Sequence, residues 1–432
     1  MILFAGKIYP TSEQSHLLDT LEERINVTLS KERLFTETVI NAIDRLGGLF
    51  RAGELDSLIE QSGLSEYMEK WKDFAALLSR EYLECKLRTE LGEDFFEPSE
   101  VPSTCGLAGV KNIPVPLGTL FHIAAGNMDA LPAYTVVEGL LTGNINIVKL
   151  PQADNGLTVT ALAKLIEIEQ SLAEYIYVFD TPSSDISAMR RMAGMADGIV
   201  VWGGDAAVSS VRSMASPGVK LIEWGHRLSF AYISGDWTKK TEELSSLAEH
   251  IVTTEQLLCS SCQTVFMDTD SMADLKRFCR TFLPILQRAR DAHPMTEISA
   301  IAEISLKNYT AELEAAILGQ SEERKNLYSG RMCGLTVSED SELVLSELFG
   351  RVNVKRLPRA QMMNVLRRKK GYLQTAGLIC NDGDKAALTE RLIRCGVNRV
   401  TSAGSMSAAF SGESHDGEYA LRRYVRMANV EE

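Results

Sequence analysis

The chain has 432 residues, 45% of them apolar and 24% charged, a globular composition long enough for two cores. Its formal charge of −13 argues against a general nucleic-acid or anionic-membrane partner. The best candidate for a membrane span, Leu117 to Leu150, is broken by Asp129, Glu138 and Lys149, so no span is expected. The first residues, Met1 to Lys7, lack a basic region and a long apolar run, so no secretory signal is expected. Eight cysteines are scattered rather than framed for disulfides, which points to a reduced, cytoplasmic setting.

From Ser12 to Leu91 apolar residues recur at helical spacing, as in Leu17, Leu18, Leu21 and Ile25, and again in Val39, Ile40, Ile43 and Leu46. Tyr67 to Leu87 continues the pattern. Four prolines between Glu93 and Pro116 mark an irregular connector. Strands and helices then alternate. Thr119 to Ile123 reads as a strand, the Ala124–Asn127 turn opens a helix through Leu141, and Asn144 to Lys149 is a buried strand. Leu157 to Leu172 (helix), Tyr175 to Phe179 (strand), Ser184 to Met195 (helix) and Gly198 to Trp202 (strand) follow, with Val219 to Glu223 as one more strand. This order predicts a doubly wound parallel α/β sheet that binds ligands at the carboxyl ends of its strands. A second unit is expected from about residues 224–228. Its strands are Leu228 to Ile233, Thr264 to Met267 and Gln374 to Cys380; its helices are Glu242 to Glu255, Met272 to Leu286 and Lys385 to Cys395.

Several residues carry chemistry by type and place. Gly203-Gly204, between a strand and a helix, lets backbone amides approach a phosphate, though an ordinary turn uses the same pair. Lys149 ends a strand where open sheets hold ligands; a solvated lysine fits equally well. The Asn127 amide can donate to a developing oxyanion, while a turn asparagine is more often structural. Glu223, between Ile222 and Trp224, is expected to be a buried, desolvated acid or base, or else paired with Arg227. Cys259 and Cys262 form a C-x-x-C. No second ligand pair supports zinc, no compact redox domain opens on the motif, and a lone nucleophile needs an oxyanion donor. Two buried small hydrophobes is the plain alternative. No metal is expected.

In order and spacing these stretches resemble the aldehyde dehydrogenase superfamily, and within it the acyl-CoA reductase branch of the LuxC type. Pro116-Leu117-Gly118 through Asn127 is similar to its strand ending in the oxyanion asparagine. Gly139 to Lys149 is similar to its "small-small-Gly-Asn, apolar strand, Lys" motif. Leu221-Ile222-Glu223-Trp224-Gly225 resembles the segment carrying the general base, and Cys259 lies 36 residues beyond Glu223 (259 − 223). Ser346 to Val352 is similar to the Glu-x-Phe-Gly-Pro-Val motif. Cys259-Ser260-Ser261-x-Gln263, Gly396 to Val400 and His415-Asp416-Gly417 resemble the acyl-CoA reductase branch in particular. The likeness covers roughly residues 100–425.

The resemblance implies two doubly wound α/β domains, a helical N-terminal region and a small oligomerisation extension. Residues 1–225 would bind the nucleotide, with the helical region as 1–100. Residues 226–410 would carry the cysteine, and 411–432 would form the extension. It implies that Cys259 becomes acylated, that Asn127 binds the oxyanion and that Glu223 moves protons. Lys149, Gln152, Gly203, Gly204, Glu347 and Phe349 would hold the cofactor. Neutral Gln152 replaces a glutamate common in NAD-preferring relatives, which favours NADPH over NADH. The implied substrate is an acyl-CoA, with coenzyme A leaving, acyl-activating or acyl-transferring partner enzymes, and a homo-oligomeric state. Glu255-Gln256 departs from the usual Gly-Gln before the nucleophile, leaving Cys262 as a second candidate and a Cys259–Cys262 disulfide as a possible inactivation route. Arg351 replaces the motif's proline. Rival readings are an aldehyde dehydrogenase oxidising free aldehydes, a γ-glutamyl-phosphate reductase, and a non-catalytic acyl carrier or acyl-transferase.

Overall fold

The computed structural model describes residues 1–61, 74–94, 96–100, 109–124, 130–152, 154, 156–318 and 326–431. The chain divides into two compact units, residues 1–225 with 410–432, and residues 226–409. Among the described residues no helix is long and apolar enough to cross a membrane.

The strands of the first unit are β1 (Ile2–Phe4), β2 (Lys7–Tyr9), β3 (Ser99–Glu100), β4 (Val110–Pro116), β5 (Thr119–Ile123), β6 (Ile145–Lys149), β7 (Ile176–Phe179), β8 (Gly198–Trp202) and β9 (Lys220–Trp224). Seven of them form a sheet in the order β2-β1-β7-β6-β5-β8-β9. β5 to β9 are mutually parallel, and the amino-terminal hairpin β1–β2 adds antiparallel to β7. β5, β6 and β7 are buried along their whole length. Their near-continuous apolar runs are what a parallel sheet covered on both faces requires. The strand order reverses between β5 and β8, so the carboxyl ends of these two strands border the crevice where such sheets bind ligands.

Close packing explains the small residues of the 139–149 motif. The helix Leu131–Leu141 lies so near β6 that a Cβ at Gly139 would collide with the Asn146 carboxamide. Asn144 then ties three segments together: its Oδ1 accepts from the Gly118 amide (2.9 Å), and its Nδ2 donates to Thr142 Oγ1 (2.8 Å) and the Tyr424 carbonyl (3.0 Å).

The second unit contributes β10 (Leu228–Ile233), β11 (Cys262–Met267), β12 (Leu327–Ser329), β13 (Gly334–Ser338), β14 (Arg351–Arg356), β15 (Leu373–Ile379) and β16 (Arg399–Ser402). The sheet order is β12-β13-β14-β11-β10-β15-β16, parallel except for β12. The helix from Met272 runs to Ala292, past the expected end at Leu286, despite Pro284. A further helix, Ile298–Leu318, and strands β12 to β14 have no counterpart in the sequence reading.

The last strand, β17 (Val425–Glu431), pairs antiparallel with β4, which also carries β3. The tail is therefore not a body of its own. Leu421 and Tyr424 are fully buried in the first unit, and the Leu421 amide donates to Glu90 (2.8 Å).

Candidate active site

In the second unit, Cys259 sits in the loop before β11, at the amino end of the sheet, and its side chain is exposed. Gln374, at the start of β15, donates from Nε2 to the sulfur at 3.3 Å. An amide donor suits a sulfur that reacts as a thiolate. Ser229 on β10 fixes the loop by donating to the Cys259 carbonyl (2.7 Å). Cys262 differs in every respect. It opens β11, has no exposed surface, and burial pushes its thiol up to about 12. Its amide is held by Nε2 of the buried His250 (3.3 Å). A thiol sealed in this way packs as a small core hydrophobe, and burial disfavours its thiolate.

The loop before Cys259 is locked to the turn that follows Ser346. Glu255 and Gln256 both have left-handed backbones (φ 48° and 59°), and so do Leu348 and Phe349 (65° and 51°). Such conformations cost about 1 kcal/mol or more for residues other than glycine, so surrounding contacts must hold them. Here they interlock. The Phe349 amide donates to the Glu255 carbonyl (3.0 Å), and the Gly350 amide to Gln256 Oε1 (3.0 Å). Gln256 Nε2 donates to the Cys262 carbonyl (2.8 Å), while Gln263 donates to the Gln256 carbonyl (2.8 Å) and accepts from the Ser346 hydroxyl (2.8 Å). The Glu255 carboxylate grips the buried Arg290 through two bonds of 2.6 and 2.7 Å. Glu255 thus keeps the backbone a glycine would adopt and adds an ion pair that a glycine lacks.

Glu347 is exposed, and its carboxylate accepts from Arg351 Nε at 2.6 Å, so the residue replacing the motif's proline orients the glutamate. Phe349 is half-buried beside it.

In the first unit, Lys149 ends β6 and is only 3% exposed. It is not a solvated strand end: its ammonium donates to Ser183 beyond β7 (2.9 Å), and burial lowers its pKa. Gln152 stands exposed in the next turn. Gly204 caps the ten-residue helix Asp205–Met214, and a Cβ there would meet nothing within 4 Å. An open glycine at a helix N-terminus leaves room for a phosphate group, although Asp205 in the first turn opposes a second negative charge.

Glu223 departs from expectation. It is about one-fifth exposed rather than desolvated, and it forms a two-pronged pair with Arg212, both bonds 2.6 Å. Arg227, the expected partner, instead donates to the Gly371 carbonyl (2.7 Å). The signal for Arg212 was its place on the helix that follows the Gly203-Gly204 turn. Asn127 lies outside the described residues. Among those described, no cluster of side chains could hold a metal ion. Gln374 and Arg290 carry no motif of their own in the sequence, and Gln256 and Gln263, read there only as motif positions, gave no sign of the contacts they make.

The profile of the acyl-CoA reductase (LuxC) family matches residues 32–427. The chain belongs to that family. Relatives include a long-chain acyl-protein thioester reductase of Vibrio harveyi, 26% identical over 52% of this chain and 48% of its own length. Another of the same description, from Aliivibrio fischeri, is 22% identical over 73% of this chain and 64% of its own. The matches thus span about half to two thirds of these relatives' length. Among solved structures, a lactaldehyde dehydrogenase aligns over 98% of this chain and 91% of its own (TM-score 0.67, 14% identity). An NAD-dependent benzaldehyde dehydrogenase from Corynebacterium glutamicum covers the same shares (TM-score 0.65, 14% identity). The solved structures show that the chain has the aldehyde-dehydrogenase-like α/β fold.

Proposed function

We propose that the protein reduces an acyl-thioester to an aldehyde, with acyl-CoA as the donor and Cys259 as the point of covalent attachment. The observation that carries this reading is the contrast between the two cysteines: Cys259 is exposed and bonded to an amide donor, while Cys262 is sealed. The Cys259 thiolate attacks the carbonyl carbon, a new carbon–sulfur bond forms, and the donor's thiolate leaves and takes up a proton. The Asn127 amide and the Cys259 backbone N–H stabilise the oxygen that carries charge in between. A reduced nicotinamide, when bound, supplies the hydride that turns the acyl carbon into an aldehyde. Release of aldehyde returns Cys259 to its thiolate.

The open N-terminus at Gly204, the buried Lys149 and exposed Gln152 suit a dinucleotide, with Gln152 favouring NADPH over NADH. Glu347 and Phe349 would contact its nicotinamide riboside. Glu223 would move protons. Its two bonds to Arg212 would have to loosen for it to do so, and that holds equally for the free-aldehyde rival, so the pairing does not separate the two readings. In this reading the enzyme works in the cytoplasm as a homo-oligomer fed by acyl-activating or acyl-transferring enzymes.

The test is NADPH consumption against a panel of acyl-CoAs of increasing chain length, beside aldehyde with NAD(P)⁺. Thioester-dependent oxidation of NADPH is expected. Aldehyde oxidation without coenzyme A, and no thioester reduction, would favour the rival.

A further inference from the structure

A basic rim lies at the same end of the second unit's sheet as Cys259. The run Arg367-Arg368-Lys369-Lys370 follows the short helix Met362–Leu366 and turns through Gly371 and Tyr372 into β15, whose second residue is the Gln374 that touches the Cys259 sulfur. Gln374 lies four positions beyond Lys370, so their backbones are no more than about 14 Å apart. The helix Asp382–Cys395 ends on this side too, since the Asn398 amide just beyond it donates to the Gln374 carbonyl (3.1 Å).

Charge makes this rim unusual. The chain carries a formal −13, and many of its cations are paired. Lys369 is paired with Glu342 (2.8 Å), but Arg367, Arg368 and Lys370 are exposed and form no ion pair among the described residues. Basic residues at helix ends do offset the helix dipole, which is the plain use of such a run. That use asks for one or two cations, not three unpaired in four at the end of the sheet that carries the reactive sulfur.

We propose that this rim receives the phosphate of a phosphopantetheine arm, so that the thioester it carries is presented to Cys259. The inference rests on Cys259 attacking a thioester. The chemistry is a phosphate ester at the head of a long flexible arm ending in a thiol, part of a diphosphate in coenzyme A and a phosphodiester in the prosthetic arm of a carrier protein. Arginine forks match phosphate oxygens, and the Gly371 turn leaves open space beside them.

The experiment uses the full chain and the variant Arg367→Glu/Arg368→Glu/Lys370→Glu, whose three side chains are exposed and leave the core untouched. Coenzyme A and phosphate-free pantetheine are titrated calorimetrically, which reads the rim without chemistry. Turnover is measured in parallel with acyl-CoA, an acyl-loaded carrier protein and acyl-N-acetylcysteamine, which has no phosphate. Expected is a loss of roughly tenfold or more in coenzyme A affinity, and in kcat/KM for the phosphate-bearing donors, with acyl-N-acetylcysteamine unaffected. The donor with the larger loss identifies the arm's source. Equal effects on all donors, or unchanged coenzyme A affinity, overturn the proposal and leave the rim a solvated face. If coenzyme A binding depends on the rim but no thioester is reduced, the reading of Cys259 fails and the rim's ligand stands.

Discussion

At the scale of single residues, the two cysteines three positions apart behave as different chemical groups. Burial keeps the Cys262 thiol protonated up to about pH 12, so alkylation with iodoacetamide at pH 8 is expected to modify Cys259 and spare Cys262. Peptide mapping checks it. Burial likewise pushes the imidazoles of His122 and His250 down to about 4 from the ordinary 6.5. Between those values the unfolded chain binds protons that the folded chain refuses, so stability falls as pH drops from about 6.5 through 4. Protonation would also cost His250 the bond it accepts from the Cys262 amide. Urea midpoints across this range are expected to fall, and His250→Gln to flatten the slope; an equal slope in the variant would contradict this. Glu223→Gln is expected to lower turnover by about 10²-fold or more if it moves protons, with little loss of stability because its pair with Arg212 is largely solvated. Kinetics beside thermal melting separate the two effects.

At the scale of elements, the turns Glu255–Gln256 and Leu348–Phe349 hold each other in left-handed conformations. Glu255→Ala leaves the buried Arg290 cation without its anionic partner, expected to destabilise by roughly 3–5 kcal/mol and to lower kcat more than it changes KM. An unchanged denaturation midpoint would show that the pair does not hold the loop. In the first unit, Lys86 bridges Glu90 (2.5 Å) and Glu138 (3.0 Å) in the core, and these carboxylates accept from Leu421 and Tyr424 of the tail. Lys86→Met is expected to cost a similar amount and to expose the tail to proteolysis. Much of the element order was legible, since parallel strands read as unbroken apolar runs such as Ile145 to Val148. Shorter or half-exposed pieces were not. The three-residue strands of the amino-terminal hairpin have no period to detect, and the turns beyond Leu286 that bring Arg290 to Glu255 are mostly polar, with no apolar repeat to mark them. The glutamine clamp rests on contacts between positions up to 94 residues apart, which local pattern does not encode.

At the scale of the whole chain, the tail belongs to the first unit: β17 completes a sheet with β4, and Tyr424 is buried in its core. Sequence order alone could not reveal that residues 410–432 return across an entire second unit. Truncation after Ala409 is therefore expected to unravel residues 1–225 while sparing 226–409, read as loss of one of two calorimetric transitions. The central claim concerns one sulfur. Incubating the protein with radiolabelled acyl-CoA in the absence of NADPH, then mapping the label by peptide digestion, tests it most directly. The account predicts stable label on Cys259 in the unaltered chain and in Cys262→Ala, and none in Cys259→Ser. Label that persists in Cys259→Ser, or that maps to any other residue, would contradict it.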